Sequence, residues 1–350
     1  MVNLGNGQSA LLWSDLLLRE ISELWPGQVE SLTSLYGDTD QNIRLNYSDN
    51  DSRVLKITAS GSEQAAVIIE LQVAALLHIQ GKTAELNCPV PVAARDGGYV
   101  TAVCDREGGA HHAWMLSWLP GRVLDEVSTY EDSLLHSIGR SMALIDHALL
   151  DFDHPVAHRR ITWDLANVLE RRSWLKHIHD SEDRRLATAV FDLLERQLLQ
   201  PLSKLPSGII HNDGGNQHNM LLSADPGDNS RISGVIDFGD IVYTHRLCEL
   251  GVAAAYSSFG SADRVHAIST AARGYHEVMP LAETEQRLLP LLVLCRYLLS
   301  VCHAAERSSR EPDNAYAQVS AASAWAGLRY LMSRDMEQVA DSVCERLNDA

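Results

Sequence analysis

Two apolar runs, each ending in an aspartate, constrain this chain more than any other feature. The first lies in Gly208–Leu222, GIIHNDGGNQHNMLL, where Asp213 follows Ile209 and Ile210. The second comes after a gap of twelve residues, in Val235–Asp240, VIDFGD, where Asp237 follows Val235 and Ile236. Runs this short and apolar read as buried strands, and a carboxylate at the end of a buried strand is aimed at something. An acid, an amide and a second acid in this order suit phosphoryl transfer from a magnesium nucleotide. One aspartate accepts the proton of an attacking hydroxyl, while the amide and the other aspartate hold the metal that neutralises the phosphates. Either segment alone reads as well as a turn closed by His211 and Asp213, or as a plain strand end. Their conjunction carries the catalytic reading.

A chain of 350 residues can bury a large core and is expected to form two lobes. A net charge of −17 excludes a general phosphate-backbone binder, so no nucleic-acid partner is expected. That charge suits a cationic small substrate, and it also serves solubility alone. The six cysteines form no CxxC pair. They read as reduced core residues of a cytoplasmic protein. The opening MVNLGNGQSALLWSDLL lacks a basic region and a cleavage site, so no signal peptide is expected. The most apolar stretch, Leu288–Ala305, is interrupted by Pro290 and Arg296 and is expected to be a buried helix rather than a membrane span.

Periodicity divides the rest. Ser14–Trp25 reads as an amphipathic helix, and Asn42–Tyr47 with Arg53–Ile57 as a hairpin around Ser48–Asp51. Glu63–His78 is helical by run length. Pro91–Ala94 and Tyr99–Val103 flank Arg95-Asp96-Gly97-Gly98 as a second hairpin, and Trp114–Trp118 is a further strand ended by Leu119-Pro120-Gly121. Helices are expected at Ser133–Leu149, Trp163–Trp174 and Asp183–Leu199, and again from about Leu247 to Leu347. The expected class is α+β: a small β-rich N-lobe, residues 1–119, and a mainly helical C-lobe, residues 120–350.

Lys56 stands inside the apolar strand Val54–Ile57, where a lone lysine otherwise snorkels to solvent. Glu70 is one of two polar residues in the run Ala65–Leu77, and a carboxylate among so much apolar surface calls for a cation. Lys56 is the best-placed cation, and Glu63 fits better as a partner of the helix dipole. The loop Tyr36–Asn42 sits where a phosphate-covering loop would, but with a single glycine it also reads as a polar turn. Asp213 is the candidate base or hydroxyl-orienting group, and His211 braces the loop or shuttles protons. Asn219 and Asp237 are oxygen ligands of the kind Mg²⁺ takes. Asp240 supports them or caps the next turn. Arg296, in its apolar helix, holds a substrate carboxylate or forms an internal ion pair. The paired histidines (His111 and His112, His177 and His179), at i,i+1 and i,i+2, share no helix face, and with no cysteine close by neither they nor the trio His147, His154 and His158 are expected to form a structural metal site.

The pattern resembles the aminoglycoside phosphotransferase/choline kinase family. The resemblance runs from Asp40-Gln41-Asn42 through VLKI (Val54–Ile57), LSWLPG (Leu116–Gly121) and Trp163-Asp164 to His211-Asn212-Asp213 and IDFGD (Ile236–Asp240). It continues through YTHRLCELGVAAAY (Tyr243–Tyr256), GYHEVMPL (Gly274–Leu281) and EPDNAY (Glu311–Tyr316). The CELGVAAAY block and the helical tail point to the hydroxylysine kinase subgroup and to phosphotransferase domains associated with class III aminotransferases. The resemblance implies a protein-kinase-like two-lobe fold with ATP or GTP as donor and Mg²⁺ as cofactor. It places Lys56 on the nucleotide phosphates with Glu70 as its partner, Asp40 and Asn42 at the nucleotide, Asp213 with His211 in the catalytic loop, and Asn219 with Asp237 on the metal. It also implies a small amine or amino-acid acceptor, hydroxylysine-like, no membrane, an aminotransferase as a pathway partner, and Glu249 as a brace for the catalytic loop. Aminoglycoside and homoserine kinases share the same motifs. One departure stands out. The family's metal-binding Asn follows the catalytic Asp by five residues, but position 218 is His and Asn219 is six away. Either Gly214-Gly215 absorbs the extra residue in a bulged turn, or His218 or Asn216 faces the metal, or the site is that of an impaired nucleotide-binding pseudokinase.

Overall fold

Alternation of apolar and polar residues sorts the first third of the chain into a six-stranded antiparallel sheet. The computed structural model describes residues 13–35, 37, 40–311 and 320–348. Tyr36, Asp38 and Thr39 of the polar loop, and most of EPDNAY, lie outside the described residues. The chain divides into two compact units. One comprises the chain up to Lys82 together with Asn87–Pro120; the other comprises Thr83–Leu86 and the chain from Gly121 onward.

In the first unit, helix α1 (Asp15–Ser22) precedes strands β1 (Val29–Leu35), β2 (Gln41–Tyr47) and β3 (Ser52–Ile57). Helix α2 (Glu63–Ile79) follows, then β4 (Pro91–Val92), β5 (Val100–Cys104) and β6 (Ala110–Ser117). The order is β1-β2-β3-β6-β4, with β5 also on β6. Odd-numbered Ile43, Leu45, Leu55, Ile57, Ala113 and Met115 share one face. They form a core with Trp13, Leu18, Ile21 and Trp25. Even-numbered Lys56 and Trp114 occupy the other face, whose strands β4, β5 and β6 lie against α2.

The second expected hairpin does not form as a ladder. Its turn closes, with Ala94 N donating to Gly98 O at 2.7 Å and Gly97 at φ +88°. Yet β4 pairs with Leu116 and Met115, and β5 with Ala110–Trp114, so the two follow one another along the edge of β6. Pro89 and Pro91 remove backbone donors from the first arm, leaving a two-residue strand that cannot sustain a hairpin.

The second unit is helical, with short strands at the motifs. Its elements are β7 (Arg122–Val123), α3 (Asp132–Ala148), α4 (Ser181–Gln197), β8 (Ser207–Ile210), β9 (Met220–Leu222), β10 (Ile232–Val235) and β11 (Val242–His245). Helices α5 (Leu247–Ser257), α6 (Arg264–His276), α7 (Glu283–Arg310), α8 (Ala321–Met332) and α9 (Met336–Asn348) complete it. Strands β10, β9 and β7 form one small sheet, and β11 and β8 a second. The expected helix Trp163–Trp174 is instead a 3₁₀ segment, Leu165–His177, broken at Asn167. Asp164 explains the break: its Oδ1 accepts from Ala166 N at 3.0 Å, and its Oδ2 from Asn167 Nδ2 at 2.6 Å. Side-chain acceptors this close to the backbone compete with regular helix.

Helix α7 is long and apolar enough to cross a membrane, but its most apolar stretch is almost wholly buried as the axis of this unit. The α3–α6 crossing is set by two glycines. A Cβ on Gly139 would overlap the carbonyl oxygen of Ala271, and one on Gly274 that of His136. Gly139→Ala is therefore expected to lower stability by about 1–3 kcal/mol through forced separation of the helices. Urea unfolding checks this, and a midpoint equal to that of the unsubstituted chain would show that the crossing tolerates a methyl group.

Candidate active site

Strand pairing delivers both aspartates to one place. Asp213 leaves β8 and Asp237 leaves β10, and Ile236 N donates to the Asn219 carbonyl at 2.9 Å, tying the two segments together. Between β8 and Asp213, Asn212 takes φ +70°, a conformation Asn tolerates better than most residues. Its N–H donates to the buried Glu249 Oε2 at 2.7 Å. Gly214 and Gly215 do not bulge in left-handed conformation. A Cβ on Gly214 would press on Met142, and one on Gly215 would overlap the Ala253 backbone. Their smallness lets the loop lie flat on α3 and α5.

Asp213 is held from three sides. Arg296 Nη2 donates to Oδ1 at 2.7 Å. Asn216 Nδ2 and Asn219 Nδ2 each donate to Oδ2 at 3.0 Å. Asn219 Nδ2 also reaches the Asp213 carbonyl at 3.0 Å. Asn219 thus spends its amide nitrogen on Asp213 and keeps Oδ1 as an acceptor. Asn216 Oδ1 instead accepts from His218 N at 3.2 Å, and the His218 ring turns toward Asp125, Nδ1 to Oδ2 3.9 Å. Of the three alternatives, Asn219 has the oxygen best suited to a cation, six residues after Asp213 notwithstanding.

Asp237 is exposed, at φ +66°, and starts a 3₁₀ turn over Phe238–Asp240. Arg159 Nη2 holds that turn through the carbonyls of Gly239 at 2.7 Å and Ile241 at 3.1 Å. Burial, and then the charges of Asp213 and Asp237, push Asp240 up to about 7, against the pull of Arg296 and Arg159. Asp213, Asp237 and Asp240 thus bring negative charge close together, a setting that fits a divalent cation with Asn219 Oδ1 and Asp237 as protein ligands. Among the described residues no three His, Cys, Asp or Glu side chains form a metal cluster of their own. Phosphate oxygens and water would complete such a shell.

His211 is fully buried, which favours the bracing role over the proton shuttle of the two expected for it. Its Nε2 meets the Ile236 carbonyl at 3.2 Å and its ring packs 4.3 Å from that of Phe238. Burial lowers its pKa, which suits a neutral ring donating that bond. Of the other histidines, His111 lies between Thr58 O at 2.7 Å and Asp105 Oδ2 at 2.9 Å, a structural role.

In the first unit, Asn42 and Lys56 are direct cross-strand partners and therefore share a face. Lys56 is nearly buried, with Nζ 5.6 Å from the Trp114 ring centre. Asp40, just before β2, is half-buried. Glu70 is a correction: it is solvent-exposed, and no ion pair joins it to Lys56 among the described residues. The polar side chain that α2 turns inward is Gln72. Glu63 and Glu70 stand seven residues apart on the outer face, so exposure removes the desolvation cost that called for a cation.

Sequence reasoning weighed Asn216 only as a residue facing the metal, not as a donor to Asp213, and it did not find Arg159. Asn216, three residues from Asp213 in a tight loop, carried a positional signal; Arg159, far from the motif in sequence, carried none.

The sequence signature of the phosphotransferase enzyme family matches residues 32–291. Mouse (Mus musculus) hydroxylysine kinase is 28% identical over 334 residues, covering 89% of this chain and 87% of the mouse protein. Among solved structures, a microcompartment-associated aminopropanol kinase superposes with a TM-score of 0.69 at 20% identity, covering 93% of this chain and 99% of that one. Amicoumacin kinase, solved in complex with AMP-PNP, Ca²⁺ and Ami, superposes at 0.68 with 16% identity, covering 96% of this chain and 100% of that one. These likenesses show the protein-kinase-like fold.

Proposed function

The chain belongs to the phosphotransferase enzyme family, and from that premise we propose that it is a small-molecule kinase whose acceptor is an amino alcohol or hydroxylated amino acid, 5-hydroxylysine first. The observation that carries this reading is Asp213 held by Arg296, Asn216 and Asn219 beside Asp237. The acceptor oxygen forms a bond to the γ-phosphorus as the bond from that phosphorus to the β–γ bridging oxygen breaks. A nucleoside diphosphate leaves, and the hydroxyl proton passes to the Asp213 carboxylate and on to solvent. In a loose transition state the oxygen needs orientation more than activation, so a carboxylate already engaged by three donors suffices. Bound Mg²⁺ supplies charge neutralisation at the phosphates. Lys56, with Asn42 beside it, is assigned to the phosphates of ATP or GTP.

Support for the acceptor comes from the hydroxylysine kinase likeness and from the net charge of −17, which attracts an ammonium group. The same reading keeps an aminotransferase as pathway partner, and places the protein in the cytoplasm, where its six free thiols persist. Against the pseudokinase alternative stands the position of Asn219, which hydrogen-bonds Asp213 despite its shift by one residue.

The test is consumption of Mg·ATP and Mg·GTP with 5-hydroxylysine, homoserine, ethanolamine, choline and an aminoglycoside. Turnover is expected with 5-hydroxylysine. Turnover confined to choline or the aminoglycoside would overturn the acceptor, and nucleotide binding with no turnover on any of them would return the pseudokinase.

A further inference from the structure

We infer that Arg296 is a positioning residue for Asp213, a buried guanidinium post that decides which lone pair of the carboxylate is left to receive the acceptor hydroxyl. The inference rests on the phosphotransferase reading of Asp213. An ionised carboxylate offers about four acceptor positions. Asn216 and Asn219 both donate to Oδ2, and Arg296 to Oδ1. The remaining position therefore lies on Oδ1, and its direction is fixed by where Arg296 stands.

The post is itself rigidly set. Its Cζ lies 4.5 Å from the Trp163 ring centre and 5.1 Å from that of Tyr256. The Tyr256 hydroxyl accepts from the same Nη2 at 2.8 Å. Elements from three parts of the second unit thus hold one guanidinium. A guanidinium also differs from an ammonium in being planar, so two rings can fix its rotation as well as its place.

The cost of this arrangement argues for a purpose. Arg296 is 2% exposed, and its Nε and Nη1 find no hydrogen-bond partner among the described residues. An apolar side chain of similar length would fill the same space in α7 without burying a partly satisfied cation. What an apolar side chain could not do is grip Oδ1 of the one carboxylate that faces the acceptor.

The experiment compares Arg296→Met and Arg296→Lys in the unsubstituted chain and in Asp213→Asn, reading kcat, both KM values and thermal midpoint. Arg296→Met is expected to lower kcat by about 10²-fold with the nucleotide KM changed less than about threefold, and Arg296→Lys to restore part of the loss. In Asp213→Asn the same change should cost less than about twofold, because the proton-accepting carboxylate that Arg296 orients is gone even though an amide oxygen remains for it to hold. An equal fold-loss in both backgrounds, or a kcat for Arg296→Met within about threefold of the parent, overturns the inference. Should Arg296→Met fail to fold, the Arg296→Lys pair decides by the same comparison. Absence of turnover in the unsubstituted chain would instead overturn the phosphotransferase reading itself.

Discussion

Asp213→Asn is expected to lower phosphoryl transfer to about a thousandth of the parent rate while the chain stays folded and binds nucleotide. The choice of asparagine matters. Asp213 faces a guanidinium that is 2% exposed, so Asp213→Ala would leave a buried cation without its anion. Breaking such a pair costs about 3–5 kcal/mol, and lost activity could then be lost structure. Asparagine keeps the shape and one acceptor oxygen, so Arg296 retains a neutral partner while the proton acceptor is gone. The measurements are transfer of labelled γ-phosphate, calorimetric nucleotide affinity, and the thermal midpoint. Loss of transfer with affinity held within about threefold is the expected result, since only an interaction made in the transition state has been removed. An Asn variant within about tenfold of the parent would sink the role given to Asp213.

The parts of this site that were legible in the sequence are those governed by local rules. Asp213 and Asp237 sit where short apolar runs end, and strand pairing needs nothing more to place them. Helix α2 begins at Glu63 as run length indicated, because Ser62 caps it through Ala65 N. Glu70 was misjudged by counting apolar neighbours in the chain rather than around the helix; a spacing of seven puts it with Glu63 on the outer face. The hairpin at Arg95–Gly98 had correct turn residues and the wrong partner, and the prolines of its first arm already argued against a ladder. Arg296 is different. An arginine in an apolar helix announces a buried anion, but its carboxylate lies 83 residues away, and nothing local says which one it is. The short strands β7, β9 and β11 are equally silent, since two to four residues hold too little alternation to read.

Stability is expected to fall by roughly 3 kcal/mol between pH 5 and 8, and Glu249→Gln should remove most of that slope. Glu249 is fully buried beneath the catalytic loop, and burial pushes its carboxyl up to about 7, against the hydrogen bond from Asn212 N–H and with the charge of Asp213 adding to the rise. Asp146 of α3 is raised as well, first by burial and then by Glu249, although Tyr275 donates to it at 2.6 Å. Neither Glu249 Oε1 nor Asp146 Oδ1 has a hydrogen-bond partner among the described residues, so nothing on those oxygens offsets the burial of a charge. An acid with a raised folded pKa holds its proton in the fold while the unfolded chain has already lost it. Stability is therefore full below the unfolded value and declines as pH rises through the folded one. Asp240, also raised to about 7, contributes with the same sign, and His211, whose pKa is lowered, with the opposite one. The difference between parent and variant isolates Glu249 from both. Glutamine keeps an oxygen for Asn212 N–H, so the loop should hold its αL turn and kcat should stay within about threefold. Glu249→Ala lacks that oxygen, leaves the N–H buried and unpaired, and should lose activity at every pH. Urea unfolding of the parent and the Gln variant from pH 5 to 8 decides the matter: curves that draw together toward pH 5, move apart as pH rises to about 7 and keep a constant gap above it support the raised carboxyl, and curves parallel over the whole range refute it.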